Sequence, residues 1–203
     1  MKHDLHTHTV YCDGKNTAEE MILSAPDKGL ERLGILAHSY VSFDDWYCMP
    51  TEKIGAFQDE VERLKDKYAD RIEILCGIEQ DVVSEYRVEG FDYIIGSNHY
   101  VCKNGAYIPA DSTPERLMRG VKEQFDGDYY AYLEAYFDAV SKVVERTDCD
   151  IIAHFDLPCK FNTKHGLFDE NDPRYIAAWQ SAADKLLQTG KPFEINTGAI
   201  SRG

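Results

Sequence analysis

Short apolar runs alternate with longer amphipathic stretches along the chain. The apolar runs predict strands at Lys2–His6, Leu33–His38, Ile72–Glu79, Tyr93–His99, Ile151–His154 and Pro192–Asn196. Apolar residues at helical spacing predict helices over Ile54–Tyr68, Pro114–Phe125, Tyr129–Arg146 and Arg174–Thr189. A further helix follows the first strand. There Thr17 as N-cap and Glu20 three residues on form a capping box ahead of Met21, Ile22 and Leu23, and Gly29 is placed to end it. Such alternation predicts an α/β architecture with a mainly parallel sheet or barrel. No repeat, low-complexity tract or linker interrupts it, so residues 1–203 read as a single domain.

The polar residues carry a second pattern. Leu36-Ala37 runs into His38, Gly77-Ile78 into Glu79, Ser97-Asn98 into His99 and Ile152-Ala153 into His154. In α/β barrels the C-terminal strand ends form the active face, where several strands each contribute one group. In the first strand His6 and His8 are two residues apart, so both rings project to one face and can bind one ion. Imidazole nitrogens with carboxylates suit zinc, iron or manganese, which leaves the metal's identity open. Asp13, in a Cys12-Asp13-Gly14-Lys15 turn, can return a carboxylate to the same mouth. Glu79, with two oxygens, is the candidate to bridge two ions. Each residue also has an ordinary reading: Asp13 as a turn residue, Glu79 as a salt-bridge partner, each histidine as a hydrogen-bonded strand terminus. Chance placement of five of the seven histidines at strand ends is the costlier account. His3 and His165 fall outside the set.

Composition narrows the chemistry. With 22 Lys+Arg against 36 Asp+Glu the net charge is -14, which repels phosphate backbones and argues against nucleic-acid binding. An anionic substrate would therefore need a local positive centre such as bound metal. The six cysteines form no Cys-x-x-Cys pair and read as reduced thiols of a cytoplasmic protein. No apolar signal core or membrane-length run is present, so no membrane partner is expected. Oligomeric state is not readable. There is no Gly-rich phosphate loop and no Gly-x-Ser-x-Gly, which leaves water as the expected nucleophile.

The ordered motifs Asp4-Leu5-His6-Thr7-His8-Thr9, Asp13-Gly14, Ala37-His38-Ser39, Gly77-Ile78-Glu79, Gly96-Ser97-Asn98-His99 and Ala153-His154-Phe155-Asp156 resemble those of the PHP (polymerase and histidinol phosphatase) superfamily. The resemblance spans essentially the whole chain. A tyrosine-rich helical insert between His99 and His154, and Glu194-Ile195-Asn196-Thr197 followed by Arg202, make it most similar to the histidinol-phosphate phosphatases. It implies a distorted (β/α)7 TIM-like barrel and two to three divalent ions. Of these, the first would be held by His6, His8 and Glu79, the second by Glu79, His99 and His154, and the third by Asp13 and His38.

The implied reaction is hydrolysis of the small-molecule ester L-histidinol phosphate, with a water activated by the ions. Arg202 would bind the phosphate, Lys160 would help, and Asp156 would be a possible acid two residues after His154. Tyr40, Phe43, Trp46 and Tyr47, in the loop after His38, can shape the organic half of the pocket or simply pack. The family also has a late Ser-Asp-x-His segment, supplying ligands to the first and third ions, which this sequence does not contain. The expectation is therefore a C-terminally truncated barrel lacking its last strand and helix, with an open sheet edge. The alternatives are another PHP phosphoesterase acting on nucleotide or sugar phosphates, and a degenerate metal-binding domain without catalysis.

Overall fold

A computed structural model of the chain describes residues 1–86 and 89–197. The chain forms two compact units, Met1–Ile95 and Gly96 onward. The first contains strands β1 (His3–His8), β2 (Arg32–His38) and β3 (Glu73–Asp81), helices α1 (Ala18–Ser24) and α2 (Ile54–Lys67), and the start of β4 (Tyr93–Ser97). Its sheet order is β1-β2-β3-β4. The β2–β3 ladder is parallel and unbroken from Arg32↔Glu73 to His38↔Glu79. The β1–β2 ladder is also parallel, with an irregularity between Asp4 and Thr7. In-register parallel pairing is what sets His38 beside Glu79 at a common C-terminal end.

Both faces of this sheet are covered, which is why β2 reads as an apolar run rather than an alternation. On one face Leu33, Ile35 and Ala37 of β2, with Ile74, Cys76 and Ile78 of β3, pack against Ile22 of α1 and Phe57, Val61 and Leu64 of α2. On the other, the Tyr93 ring lies against Gly34 and Gly77, where any Cβ would run into it. Its hydroxyl donates to the Leu5 carbonyl at 2.6 Å. The glycines thus make room for an aromatic bolt across three strands.

The expected first helix is divided. The capping box on Thr17 forms, but the α-helix stops at Ser24, Pro26–Lys28 continues as a 3-10 turn, and Gly29 ends it at φ 73°. Pro26 lacks the N–H an α-helix needs and takes the N1 place of the 3-10 turn.

The second unit adds a hairpin of β5 (Tyr100–Lys103) and β6 (Ala106–Pro109), helices α3 (Pro114–Gln124), α4 (Tyr129–Val140) and α5 (Val143–Thr147), and the short β7 (Ile151–Ile152). Helices α6 (Asn162–His165) and α7 (Pro173–Leu187) follow. Its core joins Leu117, Val121, Tyr132, Leu133, Tyr136, Phe137, Ile152, Tyr175 and Leu186. Beside β7, the Ala153 N–H donates to the Gly96 carbonyl at 2.9 Å.

Three expectations change here. The hairpin was not anticipated, although its Asn104-Gly105 turn has both residues at positive φ (52° and 79°), the geometry this dipeptide favours. The helix expected over Tyr129–Arg146 breaks at Ser141-Lys142. There the Ser141 hydroxyl donates to the Asp138 carbonyl at 2.7 Å and competes with the helical ladder. The strand expected at Pro192–Asn196 reduces to one bridge, Ile152↔Phe193, flanked by N–H to carbonyl bonds of 2.9 Å from Ile152 to Pro192 and from Glu194 to Ile152. All six cysteines are free, and among the described residues no helix is long and apolar enough to cross a membrane.

Candidate metal centre

In the first unit, β1, β2 and β3 deliver four of the expected residues to one point. Glu79 is fully buried, and its Oε2 lies 3.1 Å from His6 Nε2, 3.2 Å from His8 Nε2 and 3.0 Å from His38 Nδ1. The His8 and His38 rings stack at 4.1 Å and 16°. A carboxylate oxygen offers about two lone-pair sites, so three imidazoles crowd it beyond what hydrogen bonds alone satisfy. Of these, His8, His38 and Glu79 bring ligand atoms within 4.8 Å of one another, and two imidazoles with a buried carboxylate fit a divalent transition metal.

Asp13 arrives by a tight turn. The N–H groups of Cys12 and Gly14 both donate to the Thr9 carbonyl at 3.0 Å, and Gly14 lies so close to the His8–Thr9 backbone that a Cβ has no space. The turn sets Asp13 Oδ1 3.6 Å from His38 Nε2 and 4.0 Å from His8 Nδ1. Cys12 enters as well, its Sγ 3.3 Å from His8 Nδ1. Burial opposes a charge on His8, but hydrogen bonding to Cys12 and Glu79 outweighs it and lifts the ring's pKa to about 9. Sequence reasoning passed over Cys12; its only signal was its place beside Asp13.

In the second unit, His99 and His154 lie just past the ends of β4 and β7. Their rings meet edge to face at 4.9 Å. The His154 N–H donates to Glu194 at 2.8 Å, which ties the Glu194–Thr197 stretch to this strand end. Among the described residues neither end of the Asn98 amide, 2% exposed, has a hydrogen-bond partner, a state that buried polar groups rarely keep without solvent or a ligand.

Asp111, which nothing in the local sequence marked, joins this group. Burial pushes its carboxyl pKa up, yet the positive charges of His99, Lys160 and His154 outweigh that and hold it below the ordinary value. Lys160 donates to the Asp111 carboxylate at 3.0 Å and to its carbonyl at 2.8 Å. Asp156 is exposed at the head of the 3-10 turn Leu157–Phe161. The strand before it ends at Ile152, so the alternation that would have set Asp156 on the face of His154 does not operate. Arg202 lies outside the described residues.

The chain resembles known proteins in sequence and in fold. The PHP domain family matches residues 4–198. A probable histidinol-phosphatase of Schizosaccharomyces pombe is 25% identical over 98% of this chain and 70% of its own length. One of Deinococcus radiodurans is 29% identical over 96% and 72%. Among solved structures, a protein assigned as a histidinol phosphatase in Listeria monocytogenes superposes with a TM-score of 0.83 at 19% identity, over 97% of this chain and 83% of that one. The histidinol phosphate phosphatase of Lactococcus lactis, complexed with zinc, L-histidinol and phosphate, gives 0.63 at 19% identity, over 97% and 73%. These two likenesses establish a common α/β fold.

Proposed function

This chain belongs to the PHP domain family, and on that premise we propose that it is a metal-dependent phosphomonoesterase hydrolysing L-histidinol phosphate to L-histidinol and phosphate. The observation that carries the proposal is the convergence of three imidazoles on the buried Glu79 carboxylate at 3.0 to 3.2 Å. The names of the two curated relatives, and the zinc, histidinol and phosphate held by the Lactococcus protein, support the same reading. In our assignment His6, His8, His38, Asp13 and Glu79 are the metal ligands of the first unit, and His99 and His154 are those of the second. Two to three divalent ions are expected.

Such ions lower the pKa of a coordinated water toward neutrality and offset charge on phosphoryl oxygens. The protein's part is to hold and orient. Glu79 offers carboxylate oxygens from a fully buried position, where charge interactions are strong. The ring stack of His8 on His38 fixes which nitrogens face inward. Lys160 has two of its three ammonium protons engaged by Asp111, leaving one for a phosphoryl oxygen. In a protein of net charge -14, these cationic groups are what allow an anionic ester to approach.

Phosphate release from histidinol phosphate, measured beside nucleoside monophosphates and sugar phosphates, tests the substrate. Activity should vanish on exhaustive chelation and return with zinc, manganese or iron. Preferential turnover of nucleotides would overturn the substrate assignment. Full activity in demonstrably metal-free protein would overturn the chemistry.

A further inference from the structure

The loop after β2 leaves the sheet at Ser39 and returns where the Met49 N–H donates to the His38 carbonyl at 3.1 Å. Both ends of this arm are therefore anchored at the strand end that carries His38. Within it, Asp45–Tyr47 forms a 3-10 turn. Tyr47 turns inward and meets the His38 ring edge-on, with centroids 4.8 Å apart at 84°. Trp46 follows outward, 5.6 Å from Tyr47, and is 69% exposed. Single exposed aromatics are ordinary on protein surfaces. An indole two ring steps from a metal-ligand histidine, next to the consecutive carboxylates Asp44 and Asp45, has a more specific chemistry.

We propose that Trp46, with the acidic pair Asp44-Asp45, receives the cationic aromatic half of the substrate, and that Trp46 is its specificity-determining residue. The inference rests on the phosphatase reading above and extends it from the phosphate end to the organic end. An indole face attracts a planar or ammonium cation through its quadrupole, and neighbouring carboxylates add to that attraction. Histidinol phosphate is polarised along its length: a phosphate at one end, an ammonium on the carbon next to the ester methylene, and an imidazole, cationic when protonated, at the other end. The protein interior beside His38 does not compete for the ring. The cavity there, lined by His38, Ser39, Tyr40, Met49, Ile78 and Tyr86 among others, measures about 10 Å³, space for a single water. That cavity is too small for an imidazole, and Trp46 stands on the exposed side of the same loop.

The chain has two tryptophans, Trp46 and Trp179, so a Trp179→Phe background isolates the Trp46 emission. Titration of that metal-loaded protein with L-histidinol should give saturable quenching. Separately, Trp46→Ala should lower the selectivity for histidinol phosphate over glycerol phosphate about tenfold, chiefly through KM, the size of one cation–π contact. Trp46→Phe should keep most of that selectivity. An unchanged selectivity ratio in Trp46→Ala, or no saturable response to histidinol, overturns the proposal. Wild-type protein that cleaves glycerol phosphate but not histidinol phosphate, while histidinol still quenches Trp46, would overturn the substrate assignment and leave the recognition surface supported.

Discussion

Replacing Glu79 by Gln keeps the shape of the side chain and removes the charge that three imidazoles share. The raised His8 pKa supplies the scale. Its rise from 6.5 to about 9 corresponds to roughly 3 kcal/mol of preference for the charged ring. Cys12 and Glu79 share that effect, so through His8 alone the metal-free Glu79→Gln protein should lose about 1–2 kcal/mol near pH 6. The pH dependence has a definite sign. A pKa raised by folding stabilises the native state below the unfolded value, and that contribution fades as pH climbs through the folded value. The deficit of the variant should therefore be full at about pH 6 and close above pH 9, as His8 loses its proton in the wild type too. Urea unfolding in the presence of chelator, repeated across that range, reads this directly. Metal analysis of the reconstituted variant should show loss of bound ion relative to wild type. A stability gap constant from pH 6 to pH 10 would mean that the effect is packing, and full metal content would remove Glu79 from the ligand set.

Gly77→Ala should destabilise the protein by about 1–3 kcal/mol, because the methyl meets the Tyr93 ring. Thermal melts of Gly77→Ala, Tyr93→Ala and the double variant should be non-additive, and strict additivity would refute the contact. Asp111→Asn should cost about 1 kcal/mol near neutral pH and nothing in strong acid, since a depressed carboxyl pKa stabilises only above its unfolded value and is lost as pH falls. Denaturation midpoints followed from about pH 7 down to about pH 2 test this, and a deficit that does not shrink below about pH 4 would show that the Asp111 charge is not what matters.

The residues legible from the sequence are those whose placement depends on strand periodicity alone. His38 and Glu79 are far apart along the chain, yet each ends an apolar run, and an in-register parallel ladder brings them side by side. The same reasoning reached His6 and His8 through the two-residue repeat of a strand. It failed for Asp156 because its strand stops at Ile152, and periodicity says nothing once the strand has ended. It overlooked the Asn104-Gly105 hairpin, whose signal was present in the dipeptide but lay inside a segment read as a helical insert. The helix break at Ser141 is a local competition for one carbonyl, which a window of apolar spacing averages away.

Asp111 and Cys12 were out of reach for a different reason. Their importance lies in what tertiary folding brings beside them: Lys160 is 49 positions from Asp111, and Cys12 meets His8 only because Gly14 lets the chain double back on the strand it has just left. A ligand at a strand end announces itself through the element that carries it. A group that holds a ligand in place is selected by geometry, and it can be any residue of suitable chemistry within reach. For Trp46 the two kinds of information meet. Its position soon after His38 marked it as a candidate. Only the return of the loop to the His38 carbonyl, and the inward turn of Tyr47 beside it, separate a recognition surface from an incidental exposed ring.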